Sequence, residues 1–500
     1  MQKRAGKWLE RFSLYLCIAA AMTYLLVFLG IALSRLHFPF ELEWMEGSSW
    51  TQVAHILSGQ PYYTAPTLDY VPLLYTPLYF YLSAAVFNLL GGGFFPLRLV
   101  SLLAAWGCIV LIFLLVREKT RHGLAAFLAA GLFVACYGLC DTWFDLARGD
   151  MLFLFFYLLA ILCLGGKSYR SSILAGVFFS LSFLTKQTAL FFTVPILIYA
   201  LVFTDRRRAL ALWAVVILLI GGSTLILDRV SGGWYSYYIF TLPSRHAFSI
   251  GFALLFWFQD LLPPLAVTWV LVLYFLLRKG KELFKPQELF YPVLLATLLA
   301  GSWAARANVG GAVNTLLPAL AGLAIFFGLG IAQMFNDERF LPDNATSRRI
   351  LVSGICLLQF LVLVYNPLAK IPGQAQLDAG NRLVAAIRQI DGDVFIPSHN
   401  YLNLMAGKPA GAHNVPIAEV AGVFGDSQNI AGSDILRQYS QAVQQKRYAA
   451  IILDGTDTEM FAAPLAGNYQ ERSYPQFTQG DEFFSVFPLK PKTALKFYFP

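Results

Sequence analysis

Three carboxylates fall within six residues in the segment Phe40-Glu41-Leu42-Glu43-Trp44-Met45-Glu46-Gly47. Directly after them Trp50, Val53, Ala54 and Leu57 recur at i, i+3, i+4 and i+7. That is the apolar stripe of a surface-lying helix, with Ser48 or Ser49 placed to cap its start and Gly59 with Pro61 placed to end it. Glu46 therefore opens a helix whose free N–H groups favour the ionised carboxylate, the form a general base needs. Position alone also suits a plainer reading, solvated glutamates at the end of a membrane span. A second acidic cluster, Asp141, Asp145 and Asp150 with Arg148 among them, abuts the apolar run Met151-Leu-Phe-Leu-Phe-Phe. Ionisable groups at that depth are costly and either face a polar cavity or pair with one another, so a structural Arg148–Asp150 or Arg148–Asp145 pair is the alternative. Lys186, between Leu184 and Ala189, is a cation in the same situation, and snorkelling to lipid headgroups is its alternative.

Other chemistries find less support. The six histidines include no His-x-x-x-His or His-Glu pair, and all six cysteines lie in apolar runs, so neither a metal site nor a disulfide framework follows from spacing. No glycine-rich phosphate loop follows a strand, and no redox cofactor motif is present. Tyr62, Tyr63, Tyr70, Tyr75, Tyr79, Tyr81 and the run Trp234-Tyr-Ser-Tyr-Tyr238 suit either an interfacial aromatic belt or rings that stack on sugar.

Groups so placed must be carried by membrane spans. With 57% hydrophobic and 13% charged residues among 500, the chain is no ordinary soluble enzyme. Apolar runs at 12–33, 97–116, 124–141, 151–166, 173–185, 188–203, 210–227, 252–277, 289–305, 313–334 and 350–366 predict an α-helical polytopic membrane protein of about 11 transmembrane helices. The first run exceeds a signal-peptide core and reads as a retained span. Basic clusters around Arg117, Lys167, Arg206, Arg278 and Arg348 fall between alternate runs, and with the amino terminus they hold 19 of the 37 Lys and Arg. That pattern predicts a cytoplasmic amino terminus and an external carboxyl terminus. It also accounts for the net charge of +8 without a nucleic-acid partner. Leu78 to Leu90, at 13 residues, is short for a span and reads as an interfacial or re-entrant helix in the first external loop, 35–96.

From about Lys370 the composition turns mixed. Helical patterns at Leu377 to Ile390 and Asp434 to Lys446 alternate with strand-like Val394 to Pro397 and Ala449 to Leu453, and Phe483 to Phe487 reads as one more strand. The expected division is a transmembrane catalytic domain at 1–369 and an external α/β domain at 370–500. The sequon Asn344-Ala-Thr346 falls in a loop placed in the cytoplasm and should stay unmodified.

The arrangement resembles the GT-C glycosyltransferases, and within them the branch of protein mannosyltransferases and the lipid A aminoarabinose transferase. Glu46-Gly-Ser-Ser-Trp-Thr-Gln through Gly59-Gln-Pro-Tyr62 looks like that branch's first-loop segment. Tyr75-Thr-Pro77-Leu-Tyr79-Phe-Tyr81 looks like its Lys-Pro-Pro-Leu-Tyr-Tyr-Trp, and Arg148-Gly-Asp150-Met-Leu-Phe-Leu-Phe-Phe looks like its second acidic motif. Leu184-Thr-Lys186-Gln-Thr-Ala-Leu190 and Gly310-Gly-Ala-Val-Asn314-Thr-Leu-Leu-Pro318 match more weakly, and together the stretches cover roughly the first 330 residues.

The resemblance implies inverting transfer of a monosaccharide from a polyprenyl-phosphate donor to a glycan, lipid or protein acceptor, on the periplasmic face of a bacterial inner membrane. It gives Glu46 the role of base with Glu43 in reserve, and Asp150 that of orienting the acceptor or a metal. Tyr75, Tyr79 and Asn314 become substrate contacts. Two departures matter. Met45 stands where the branch has aspartate, and Tyr75 stands where it has a phosphate-binding lysine, so Lys186, Arg148, Arg245 or Arg306 would have to supply the lost cation. Divalent-metal use varies in the superfamily and stays open, whereas no nucleotide or redox cofactor is expected. The rival classes are a transporter or flippase, and a catalytically silent relative that binds glycolipid.

Overall fold

Every one of the apolar runs is helical, as a lipid-embedded backbone must be to satisfy its own hydrogen bonds. The computed structural model describes residues 2–338, 345–425, 433–455, 457–472 and 495–500. Among the described residues, six helices are long and apolar enough to cross a membrane, Gly6–Leu36, Phe95–Thr120, Arg206–Val230, Pro286–Arg306, Val313–Asn336 and Ala345–Val362. This is an integral membrane protein. The remaining runs form shorter helices, among them Gly123–Gly138, Asp150–Gly165 and Ala189–Phe203.

One expected span is not straight. The run at 252–277 forms Ile250–Leu261 and Ala266–Phe284, bent by 89° at Leu262-Pro263-Pro264-Leu265. Proline cannot donate a backbone hydrogen bond, so the chain turns there. Buried Gln359 repairs the break: its Nε2 donates to the Pro264 carbonyl at 2.9 Å, and its Oε1 accepts from the Thr268 N–H and hydroxyl, each at 2.9 Å.

The bundle has two chemically different ends. The first helix carries Glu10 against Thr346 and Arg349 at one end and Arg35 against Asp145 at the other. The helix Phe95–Thr120 starts at the Arg35 end, where Arg98 donates to the Arg35 carbonyl, and finishes at the opposite end with Lys119 on Glu288 at 2.9 Å. Tyr79, near the start of the helix Leu78–Leu90, bonds to Leu97 and Ser101, and Phe94 just beyond that helix packs on Trp50 and Tyr401. Thirteen helical residues reach only about 20 Å. Leu78–Leu90 thus begins and ends at the Arg35 end.

Beyond residue 370 a small α/β layer follows. Helix Gln374–Gln389 precedes strand β1 (Val394–Phe395), and helices Tyr401–Met405, Asn414–Ala421 and Asp434–Gln444 lead to β2 (Ala450–Leu453). β3 (Gln470–Arg472) and β4 (Lys496–Phe499) complete a sheet of order β1-β2-β4-β3, in which β1 and β2 are parallel and the other pairs antiparallel. Helices and strands expected at 377–390, 394–397, 434–446 and 449–453 are present with shifted ends, while 483–487 and Asn344 lie outside the described residues. The layer packs directly on the first loop. Gly380 accepts the Phe40 ring so closely that a Cβ there would lie 2.3 Å from it, and the buried apolar core runs unbroken from the bundle into the sheet.

Candidate active site

The carboxylate loop rests on one arginine. Arg98 is fully buried near the start of its helix, and its guanidinium donates to Glu46 Oε1 at 3.1 Å, to Glu46 Oε2 at 2.6 Å and to the carbonyls of Arg35, Phe38 and Phe40 at 2.7–2.9 Å. Glu46 in turn accepts from the backbone N–H of Ala147 and of Leu42, both at 2.6 Å. Both its oxygens are thus doubly engaged. Burial works to raise its pKa, but Arg98 and the two N–H groups hold it below the usual glutamate value. This residue staples the loop, the helix start at Arg98 and the 141–150 segment together.

Glu43 is equally buried and is placed differently. Its Oε2 accepts weakly from the Met45 N–H at 3.2 Å and lies 3.8 Å from Arg148 Nη1, and its Oε1 has no hydrogen-bond partner among the described residues. Burial pushes its pKa up to about 8; Arg148 opposes the rise, and the neighbouring charges of Glu46 and Glu41 add to it. Arg148 Nη1 is likewise buried without a hydrogen-bond partner.

Arg148 donates through Nη2 to the Tyr75 hydroxyl at 2.9 Å, and its guanidinium lies over the rings of Tyr75 and Trp143 at 5.4 and 5.6 Å. Asp150, at the start of the helix Asp150–Gly165, takes Lys186 Nζ at 2.5 Å, Asn314 Nδ2 at 2.9 Å and Trp143 Nε1 at 3.0 Å. Lys186 reaches it from the end of the helix Tyr169–Thr185. It points inward, only 9% exposed, and so does not snorkel. Tyr75, Tyr79, Arg148, Asp150 and Lys186, with Ser49 and Thr185, line a narrow cleft.

The structure thus brings Glu43, Arg148, Asp150, Lys186, Tyr75 and Asn314 together. Tyr79 contributes only its ring, because its hydroxyl is committed to the Leu97 carbonyl at 2.9 Å. Arg306 is not in the cleft: it bonds to Asp260 at 2.9 Å and to the Gly311 carbonyl at 2.7 Å. Arg245 is exposed at the end of the 3₁₀ turn Pro243–Arg245 beside Gly425, also outside the cleft. Asp145 pairs with Arg35 at 2.5 Å rather than with Arg148. Tyr62, Tyr63 and Tyr70 pack on one another, on Tyr235 or on Gln52 inside the first loop, neither as a lipid belt nor open to a sugar. No three of His, Cys, Asp and Glu gather as a metal-binding group among the described residues, and the ion-pair contacts of Glu43 and Asp150 are to Arg148 and Lys186.

Arg98, Trp143 and His399 escaped the sequence reading. Arg98 left one signal, a lone cation inside Phe95-Pro-Leu-Arg-Leu-Val.

Comparison with known proteins bears on the fold. Residues 72–231 match the family model for dolichyl-phosphate-mannose-protein mannosyltransferases. Comparison with curated proteins returned no match. Among solved structures, ArnT from Cupriavidus metallidurans bound to undecaprenyl phosphate superposes with a TM-score of 0.61 at 12% identity, over 95% of this chain and 97% of that one. The archaeal oligosaccharyltransferase AglB from Archaeoglobus fulgidus, in complex with an inhibitory peptide and a dolichol-phosphate, gives 0.52 at 11% identity, over 87% of this chain and 70% of that one. The chain has the GT-C glycosyltransferase fold that its motifs resemble.

Proposed function

We propose that this protein transfers a monosaccharide from a polyprenyl-phosphate donor to a hydroxyl or similar nucleophile of a glycan, lipid or protein acceptor. One observation carries the reading: Glu43 and Arg148 lie 3.8 Å apart beside the cleft, each with one buried polar atom left without a hydrogen bond. Buried polar atoms are otherwise almost always satisfied, so an unpaired acid and cation mark a place for substrate groups. Undecaprenyl phosphate and dolichol-phosphate in the structurally similar ArnT and AglB, and the peptide in AglB, support the donor and acceptor classes.

Glu43, rather than Glu46, is the base in this reading. Its free Oε1 takes the acceptor proton as the acceptor oxygen attacks the anomeric carbon. The bond from that carbon to the phosphate oxygen breaks from the opposite side, inverting the centre, and the departing lipid phosphate keeps the electron pair. Arg148 and Lys186 offset its growing charge from fixed positions, with Asp150 and Tyr75 aiming them. Asn314 acts through Asp150. The cleft faces the periplasm of a bacterial inner membrane, with the amino terminus in the cytoplasm, and residues 370–500 shape acceptor access.

Purified protein incubated with a panel of radiolabelled polyprenyl-phosphate sugars and native membrane extract tests the proposal. Transfer is expected with one donor class and should be lost in Glu43→Gln. Transfer by Glu43→Gln at the wild-type rate would overturn the base assignment, and no transfer with any donor would overturn the activity.

A further inference from the structure

The carboxylate loop is held on two sides. Beneath it is Arg98, with its five donated hydrogen bonds. Above it is the α/β layer, through residues 399–401. His399 Nδ1 is hydrogen-bonded to Glu41 Oε1, and the Tyr401 hydroxyl accepts from the Glu41 N–H at 3.3 Å. Both side chains of the His399–Glu41 pair are largely buried, at 13% and 3% exposure. Two residues on from Glu41 lies Glu43. Gly47 closes the turn under the same contact: a Cβ there would sit 2.3 Å from the Tyr401 ring and 2.7 Å from Glu41 Oε2.

We infer that His399 is a positioning residue for Glu43, clamping the loop through Glu41 so that the Glu43 carboxyl stays dry and next to Arg148. The inference deepens the reading of Glu43 as base and rests on it for its importance to catalysis. Among the described residues, the ionisable groups that face His399 are Glu41 from the first loop and Asp454 and Asp457 from the turn after β2, with Asp454 Oδ2 at 3.8 Å from Nε2. Burial works against an imidazolium here, but these carboxylates hold the His399 pKa above its ordinary value. The upper support of the loop thus depends on an imidazole proton that these carboxylates favour, a group whose charge can change near physiological pH.

The clamp is read most directly from the protonation of Glu43, which requires no donor. Infrared difference spectra of the purified full-length protein, recorded over a pH series, contain the C=O band of a protonated carboxyl, and the part that Glu43→Gln removes belongs to Glu43. The pair Glu41→Gln with His399→Ala removes both members of the contact. With the loop released, water reaches Glu43, and the midpoint of its band should fall by about one pH unit or more, a tenfold change in ionisation constant. Affinity for polyprenyl phosphate should stay as in the wild type, since Arg148 and Lys186 are untouched.

An unchanged midpoint in the folded double variant would overturn the inference. So would failure of both that variant and the milder His399→Gln to unfold cooperatively on heating, because the pair would then be needed for folding itself. Sugar transfer by Glu43→Gln would sink the base assignment alone, with the clamp still legible in the midpoint of the Glu43 band.

Discussion

Glu43 and Glu46 stand three residues apart in one turn, joined by the Glu46 N–H to Glu43 carbonyl bond of 2.9 Å, and they live under opposite electrostatic conditions. Arg98 and two backbone donors saturate Glu46, whereas Glu43 keeps one oxygen without any donor. A saturated carboxylate fixes structure, and an unsaturated one is available to take a proton.

Glu43→Gln should accordingly lower kcat by about 10²–10⁴-fold, the usual worth of general-base catalysis, with donor affinity little changed. Steady-state kinetics beside polyprenyl-phosphate binding decides it; a kcat within twofold of wild type would remove Glu43 from the mechanism.

Glu46 and Arg98 should show their effect on folding instead. Removing one member of a buried ion pair leaves the other uncompensated, at a cost of about 3–5 kcal/mol. Arg98→Met and Glu46→Leu should each lower the thermal midpoint strongly. The two changes together should be less harmful than the sum of the singles, and strict additivity would argue against the staple.

Lys186→Ala should raise the donor KM tenfold or more, since truncating a desolvated charge contact costs about 2–5 kcal/mol. Arg306→Gln, whose charge is spent on Asp260, should leave donor KM unchanged. Equal effects of the two variants would contradict the geometry of the cleft.

Transfer should accelerate as pH rises towards about 8, because Glu43 accepts a proton only in its ionised form. Stability should run the other way. Glu43 is raised from 4.5 to about 8, Asp457 from 3.8 to about 7, and His399 above 6.5, so between those limits the folded state binds more protons than the unfolded. The stability these groups contribute is present at low pH and is lost as pH climbs through their folded values. Thermal midpoints rising from pH 5 to 8 would refute these assignments.

Much of this was legible from the residues in order. Lipid demands continuous apolar helices, so each span announces itself, and charges abutting such runs, Arg148, Asp150 and Lys186, stand out by their cost. What the sequence concealed depends on distant partners. Choosing between Glu43 and Glu46 requires Arg98, 52 residues on from Glu46, and the Ala147 N–H, 101 residues on, and no local pattern points to either. The break at Pro263-Pro264 was masked because apolar residues continue across it. β3, as Gln-Glu-Arg, is an exposed edge with no alternation to read.

The contact between Glu41 and His399 joins points 358 residues apart. At the usual ribosomal pace of about 5–20 residues per second, the first loop is made on the order of 20 to 70 s before its clamp exists. The nascent chain therefore holds its acidic loop without that contact until residue 399 has been made and its layer has docked. A product terminated before residue 399 lacks the contact to Glu41 altogether.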